Sequence, residues 1–408
     1  MSAELKGFLL VAVLKILVVF TAIMVGVMLV IWLERRASAW MQDRLGPNRV
    51  GPEGLLQSVA DGLKNILKEE TFPVVGADRW LFFLAPAISF IPALLTFSVI
   101  PFAAPLPGFD FTLPVLGRFT YTGPIPMVVA DLPVGFLFIM AISSLGVYGI
   151  VLAGWSSGNK YALLGGIRSS AQMISYEIAL GLSIVSVLLV AGNVTLSDVV
   201  AIQQRSLWFV FALSVGFVLF MIAAFAETNR LPFDLPEAEA ELITGYHTEY
   251  SSMKFSMFFI AEYSALMTMS GLMATLFLGG WDIPFTAWDE GPPSVARTLA
   301  TLGAFFVKTN AFVFTYIWVR WTLPRFRFDQ LMQLGWKFMI PVALAYIVII
   351  ATTVYALEAI GWEIGPRYGL ALLGVNAVLM GVLLFWMDHE RLILGVRQRA
   401  RVAAGKAA

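Results

Sequence analysis

The sequence predicts an all-α, polytopic membrane protein with about nine transmembrane helices and one interfacial amphipathic helix. Three observations lead there. Of its 408 residues 59% are hydrophobic, with a mean hydropathy of +0.81. Apolar runs longer than the roughly 18 residues that span a bilayer recur along the chain. Basic residues collect on alternate connecting loops, as the positive-inside rule expects of a multi-pass protein. Charged residues are 13% of the total and the formal net charge is zero, and nucleic acid is not an expected partner. With no cysteine, disulfides and cysteine-held iron–sulfur clusters are excluded. The two histidines, His247 and His389, both fall in loops beside apolar segments, so neither a bis-histidine haem nor a metal site is expected.

The first apolar run continues to Leu33 and stops at Glu34-Arg35-Arg36. It exceeds the roughly 7–15 residues of a signal-peptide core, so it reads as a retained helix over 8–33. Lys15 lies near its outer end and can snorkel. The loop that follows turns at Gly46-Pro47 and Gly51-Pro52. Leu55, Leu56, Val59, Leu63, Ile66 and Leu67 then recur at helical spacing opposite Gln57, Asp61, Lys64 and Lys68. That segment is too short and too polar to span, so it is expected flat at the interface, either anchoring the loop or forming one lip of an opening for a lipid-borne molecule. The remaining spans are expected over 80–101, 127–152, 171–191, 207–226, 255–279, 299–319, 338–358 and 368–387. Neither an internal repeat nor a low-complexity segment is present.

One side of these spans collects Arg35, Arg36, Arg44, Arg49, Lys64, Lys68, Lys160, Arg168, Arg320, Arg325, Arg327 and the arginines after Asp388. The other has few basic residues, which puts the N-terminus outside and the C-terminus in the cytoplasm.

The chemistry concentrates between Phe225 and Ser264, in FAETNRLPFDLPEAEAELITGYHTEYSSMKFSMFFIAEYS. Here Glu227, Asp234, Glu237, Glu239, Glu241, Glu249 and Glu262 surround Arg230 and Lys254. Asp234 and Glu237, with Pro236 between them, fit a helix start whose acids meet the free N–H groups. Capping does not account for Glu239, Glu241, Glu227 or Glu262. Four ionisable residues are also expected within spans, Asp131, Glu177, Glu262 and Lys308, each costing about 2.5–3.5 kcal/mol at a helix centre. Glu177 and Glu262 each lie about two turns from the ends of their predicted spans and can share a depth with Glu227. Three carboxylates can then face one wet cavity under the acidic loop, with Arg230 or Arg168 pairing one or two of them. Burial and like charge should raise the proton affinity of the rest. Lys308, near mid-span, pairs with an acid or belongs to a proton route; Asp131 is interfacial or capping.

Four segments carry a resemblance that runs from the first helix to about Ile360: LERRASAWMQDRLGPNRVGPEGLLQSVADGLK, GWSSGNKYALLGGIRSSAQMISYEIALGLS, AETNRLPFDLPEAEAELITGYHTEYSSMKFSMFFIAEYS and WVRWTLPRFRFDQLMQLGWK. The chain resembles the H-type membrane subunit of respiratory complex I, the counterpart of mitochondrial subunit 1. Membrane subunits of energy-converting hydrogenases share a shortened acidic motif, whereas the run Pro-Glu-Ala-Glu-Ala-Glu-Leu resembles the quinone-linked branch. The resemblance implies a subunit of a proton-pumping NADH:quinone oxidoreductase in a bacterial plasma (inner) membrane. It implies that the subunit forms much of the chamber where quinone, its substrate, is reduced, and couples that reduction to proton translocation. No catalytic residue or redox centre is expected in this chain; NADH, FMN and iron–sulfur clusters belong to partner subunits. The partners implied are other membrane subunits, the peripheral quinone-reducing subunits and lipid.

Carried over by motif, Glu34, Arg35, Arg36, Arg44 and Asp61 border the chamber, and Glu227, Arg230, Asp234, Glu237, Glu239 and Glu241 form its acidic loop. Glu177 and Glu262 begin a proton path toward antiporter-like subunits, and Lys308 is a further candidate on it. The first helix, the interfacial helix and the sixth helix frame the entrance. Residues 1–360 form the family-like domain; 361–408 add a ninth helix and a basic tail, whereas members of the family commonly end after the eighth. Rival readings are a stand-alone ion-coupled transporter, which predicts internal repeats and helices broken near the midplane, a membrane anchor indifferent to changes in the acidic loop, and the membrane component of a related energy-converting hydrogenase or deazaflavin-linked dehydrogenase.

Overall fold

The computed structural model describes residues 2–73, 78–114, 117–235, 245–284, 286–289 and 291–406. Apolar segments become helices because only an internally hydrogen-bonded backbone is stable in hydrocarbon. In chain order these are α1 (Ala3–Met41), α2 (Gln57–Leu67), α3 (Arg79–Leu95), α4 (Gly135–Ser156), α5 (Lys160–Ala191), α6 (Leu196–Arg205), α7 (Phe209–Ala212), α8 (Ser214–Glu227), α9 (Ser252–Phe277), α10 (Val295–Thr322), α11 (Phe328–Gln333), α12 (Ile340–Ala359) and α13 (Pro366–Lys406). Among the described residues eight helical segments are long and apolar enough to cross a membrane, and α8 is a shorter apolar helix beside them.

Several expected spans are altered, the first running on to Met41. The third starts at Gly135 rather than 127, so Asp131 lies before the helix and accepts a hydrogen bond from Ser197 at 3.2 Å. The fourth begins eleven residues early, at Lys160, where Asn159 caps the free N–H of Tyr161. The fifth is interrupted at Leu213, between α7 and α8. Between α3 and α4 the chain forms two strand pairs that the all-α expectation did not contain. Ala103–Leu106 pairs with Ile125–Met127, and Phe109–Leu113 with Gly117–Tyr121. The second pair sets Phe109 opposite Tyr121 and Phe111 opposite Phe119, an aromatic cross-strand ladder of the kind that stabilises hairpins. It lies against α1 at Gly7, where any Cβ would overlap the Thr120 carbonyl.

The core is built from α5, α8, α9, α10 and α12, with Tyr176, Leu180, Phe220, Phe277 and Tyr316 fully enclosed. Between α11 and α12 the helix widens over Leu334–Met339. Pro341 has no N–H to give the Lys337 carbonyl, which favours the wider turn. Gly335 and Trp336 in that turn meet α5 at the Tyr176 ring and the Ser175 hydroxyl. The expected ninth helix and basic tail form one continuous helix from Pro366 to Lys406. At about 1.5 Å per residue it is roughly twice as long as a 30 Å hydrocarbon core, so its C-terminal half extends past the bilayer.

Candidate functional site

The ends of α1, α8 and α10 and the start of α9 meet on one face of the bundle. The turn after α8 is the pivot. Asn229 takes a left-handed conformation (φ 50°), which asparagine tolerates better than most residues. Arg230 N–H then donates back to the Phe225 carbonyl at 3.1 Å, and the helix closes there. From α5, the buried Gln172 amide donates to the carbonyls of Ala226 (3.0 Å) and Phe233 (2.8 Å) and to Asn229 Oδ1 (3.2 Å). One side chain therefore holds both ends of the TNRLPF segment.

The closed turn aims Arg230 inward. Its guanidinium is 4% exposed and lies 3.3 Å from Glu34 Oε1 and 2.7 Å from Glu262 Oε1. It also sits 4.2 Å from the centre of the Tyr263 ring, near enough for a cation–π contact. Tyr263 donates its hydroxyl proton to Glu34 Oε2 at 2.7 Å, and Arg320 from the end of α10 pairs with Glu34 Oε1. Two carboxylates and two guanidiniums thus form one enclosed, nearly neutral network, which an interior of low dielectric requires. Arg325 extends it to Asp234 at 3.1 Å. Burial pushes the Asp234 carboxyl up to about 6, against the opposing pull of Arg325.

Glu227 stands apart from these cations. It is 6% exposed, and its Oε2 atom has no hydrogen-bond partner among the described residues. It lines a mainly apolar cavity with Thr228, Asn229, Glu262, Thr268 and Ser143. Glu177 on α5 lies within electrostatic reach of it. The structure therefore brings Glu34, Arg230, Asp234 and Glu262 into one network, and puts Glu227 and Glu177 beside it.

A separate cleft lies beneath α2. The interfacial segment expected from Leu55 to Leu67 is helical from Gln57, and exposes Val59, Leu63, Ile66 and Leu67. Ser58 Oγ donates to the Met28 carbonyl of α1 at 2.9 Å, and Asn65 Nδ2 donates to Ser256 Oγ of α9 at 2.6 Å. These bonds hold α2 across α1 and α9 and leave a cleft lined by Ile31, Arg35, Asp61, Lys64, Phe255 and Phe259. Arg35 pairs with Asp61 at 2.6 Å within it. Successive helix residues diverge by about 100°, so Glu34 points into the buried network while Arg35 points into the cleft. Lys254, also buried, pairs with Glu70 at 3.0 Å and lies 3.7 Å from the Phe72 ring centre.

Other expected residues lie elsewhere. Arg36 supports the α1–α2 loop through Glu53 (2.8 Å) and the Pro47 carbonyl (3.0 Å). Arg44 is exposed and bonds Gln42 at 2.7 Å, outside the network. Lys308 is bound near the opposite face, to the carbonyls closing α9. Glu237, Glu239 and Glu241 lie outside the described residues. Sequence reasoning passed over Arg320, Arg325, Tyr263 and Gln172 as site residues. In sequence terms the two arginines count among the basic residues of one side, and the segment WVRWTLPRFRF carries part of the family resemblance, but nothing in one dimension pairs Arg320 with a residue 286 positions away.

The sequence has close relatives. Residues 14–351 match a family model described as NADH dehydrogenase. A Geobacter sulfurreducens protein, named as the second of that organism's H-type subunits of NADH-quinone oxidoreductase, is 50% identical over 335 residues, 82% of this chain and 94% of that protein. Koribacter versatilis and Leptospira biflexa proteins named as H-type subunits of the same oxidoreductase are 47% and 48% identical, over 84% and 86% of this chain and 97% and 96% of their own length.

Proposed function

The chain belongs to the NADH dehydrogenase family, among the H-type subunits of NADH-quinone oxidoreductase, and from that premise we propose that it is a membrane subunit of a proton-pumping NADH:quinone oxidoreductase. In this reading it forms the chamber that receives quinone from the bilayer and converts the charge of quinone reduction into proton movement. Electrons arrive from NADH through flavin and iron–sulfur centres of partner subunits, and no redox step occurs on this chain's own residues. The acidic face is cytoplasmic, with the N-terminus outside.

The observation that carries the reading is the position of Glu34. It sits one residue from the cleft-lining Arg35 and is bonded through Arg230 to Glu262, which shares a cavity with Glu227, whose Oε2 has no hydrogen-bond partner among the described residues. The cleft between α1, α2 and α9 has an apolar rim suited to a lipid-soluble headgroup and tail, with Arg35 and Asp61 as polar guides. Negative charge forming on a reduced quinone near the network competes with Glu34 and Glu262 for Arg230 and Arg320. In a low-dielectric site such competition is strong. A carboxylate that loses its cation takes up a proton, and in this reading Glu227 and Glu177 pass that proton on. Glu237, Glu239 and Glu241 would supply further carboxylates in the same loop.

Photolabelling of the intact complex with a quinone analogue tests the chamber. Adducts between Glu34 and Leu67 or between Glu227 and Tyr250 are expected, and labelling confined to other subunits would overturn the assignment. Coupling is tested by Glu227→Gln and Glu241→Gln in reconstituted complex. Assembly should be retained while proton pumping or quinone reduction falls; unchanged pumping and turnover in both variants would count against it.

A further inference from the structure

The segment that follows α2 is fastened to the start of α9 by a buried cation. No residue of α2 is itself buried, so contacts at its two ends, rather than core packing, fix where it lies. Its C-terminal end meets the first turn of α9. The Ser252 hydroxyl donates to the carbonyls of Asn65 (2.7 Å) and Lys68 (3.0 Å), groups that a helix end leaves without a partner of its own. Ser251 Oγ accepts from the Thr71 backbone N–H at 3.1 Å. Ser252 takes a left-handed backbone (φ 60°), uncommon for a residue other than glycine, and its two bonds to α2 help to hold it there.

Lys254 stands beside these serines and is 6% exposed. Its ammonium lies 3.0 Å from Glu70 Oε2, and 3.7, 3.9 and 5.4 Å from the ring centres of Phe72, Phe83 and Phe82. Ring faces within about 6 Å attract a cation. The rings come from two parts of the chain. Phe72 belongs to the segment after α2, whereas Phe82 and Phe83 belong to the first turns of α3, and the Phe72 and Phe83 ring centres are 5.2 Å apart. Phe82 also stacks on Tyr250 at 4.0 Å, and Tyr250 donates its hydroxyl proton to the Phe82 carbonyl at 3.2 Å. The starts of α3 and α9 therefore form one base, to which the segment after α2 is tied. Burying an ammonium is costly unless it is paired. A methionine would fill the same space among the rings without that cost, so the charge is accounted for by Glu70, whose side chain reaches the rim at 41% exposure.

We propose that Lys254 is a positioning residue for quinone entry: by clamping Glu70 and Phe72 to the base formed by α3 and α9, it fixes the C-terminal end of α2 and with it the width of the cleft. This rests on the reading of the cleft as the way in for quinone. Asp61, Lys64 and Lys68 bound the cleft on the side of α2, and Ser252, Phe255 and Phe259 on the side of α9. Lys254 is the residue before Phe255. Successive helix residues diverge by about 100°, so one turns to the rings while the other lines the cleft. The N-terminal half of α2 has its own ties, Ser58 to the Met28 carbonyl and Asp61 to Arg35. Loss of the clamp therefore loosens one end of α2 without detaching it, and leaves Glu34, Arg230 and Glu262 in place.

Lys254→Met keeps the length and apolar packing of the side chain and removes the charge; Lys254→Arg keeps a cation for the carboxylate and the rings. Two measurements on the intact complex are compared, amide hydrogen exchange over residues 65–71 and steady-state kinetics with a decyl-tailed quinone. In Lys254→Met exchange over 65–71 should quicken, and the KM for the quinone should rise about two- to fivefold while kcat changes less, the size expected for losing one cation–ring and ion-pair contact. Lys254→Arg should restore both towards wild type. Exchange unchanged in Lys254→Met overturns the clamp and leaves the entrance reading standing. Quicker exchange with an unchanged KM overturns the positioning role and counts against the cleft as the entrance. A fall in kcat with KM unchanged marks a general structural loss and also overturns the proposal. Should Lys254→Met fail to assemble, Glu70→Gln, at the more exposed partner, is measured in the same way and held to the same outcomes.

Discussion

Glu34 is the residue on which the network turns, because it is the shared partner of Arg230, Arg320 and Tyr263. Replacing it by Ala leaves a buried guanidinium with one carboxylate fewer. Removing one partner of a buried pair costs about 3–5 kcal/mol, so the complex carrying Glu34→Ala should unfold at a lower temperature in a thermal scan. Tyr263→Phe removes only a hydrogen bond to a charged group, a loss of about 1.5–3 kcal/mol, and should leave the complex assembled. Asp234 gives a pH signature. Its folded-state value of about 6 lies above that of an unfolded aspartate, so the folded protein binds the extra proton. Its contribution to stability is therefore present in acid and fades as pH rises from about 4 through 6. Asp234→Asn should flatten this part of the stability–pH curve; an unaltered curve would show that another group titrates there.

At the scale of elements, the closure of α8 decides where Arg230 points. Asn229→Ala puts a side chain that disfavours left-handed backbone at φ 50°. Asn229→Gly relieves the backbone and loses the side-chain contacts with Gln172 and the Met173 sulfur. The alanine variant should therefore be less stable than the glycine variant by about 1–2 kcal/mol, measured by denaturation of the purified complex. The hold on α2 is equally local. Asn65→Ala removes its 2.6 Å bond to Ser256 and loosens one lip of the cleft. In steady-state kinetics the Michaelis constant for quinone should rise more than the turnover number falls, because the interaction removed shapes the proposed entrance and touches neither Arg230 nor Glu262.

Across the whole molecule, α13 is part of the packed bundle. Asn376 is fully buried; its amide donates to the Ala212 carbonyl at 2.7 Å, and its Oδ1 accepts from Tyr346 at 2.8 Å. Ala212 is the last residue of α7, so the ninth helix satisfies a carbonyl exposed by the interruption of the fifth span. Asn376→Leu should cost about 1–3 kcal/mol by leaving that carbonyl unpaired. The variant should show faster amide exchange around Leu213 than wild type, and equal exchange there would argue that the contact is dispensable.

The sequence by itself determined the class of the molecule. Long apolar runs have one stable form in hydrocarbon, and helical spacing alone marks the amphipathic α2. It also brought the acidic segment into view, since carboxylates beside apolar spans are costly wherever the chain folds. The tertiary structure decided which charges meet. Arg320 reaches Glu34 across 286 positions, and Lys308 closes the end of α9, because pairing follows the depth and facing of separate helices rather than their order. The strand pairs after α3 escaped the hydropathy reading for a related reason: their stability comes from cross-strand partners and from α1, and a short aromatic alternation carries little of that information in one dimension.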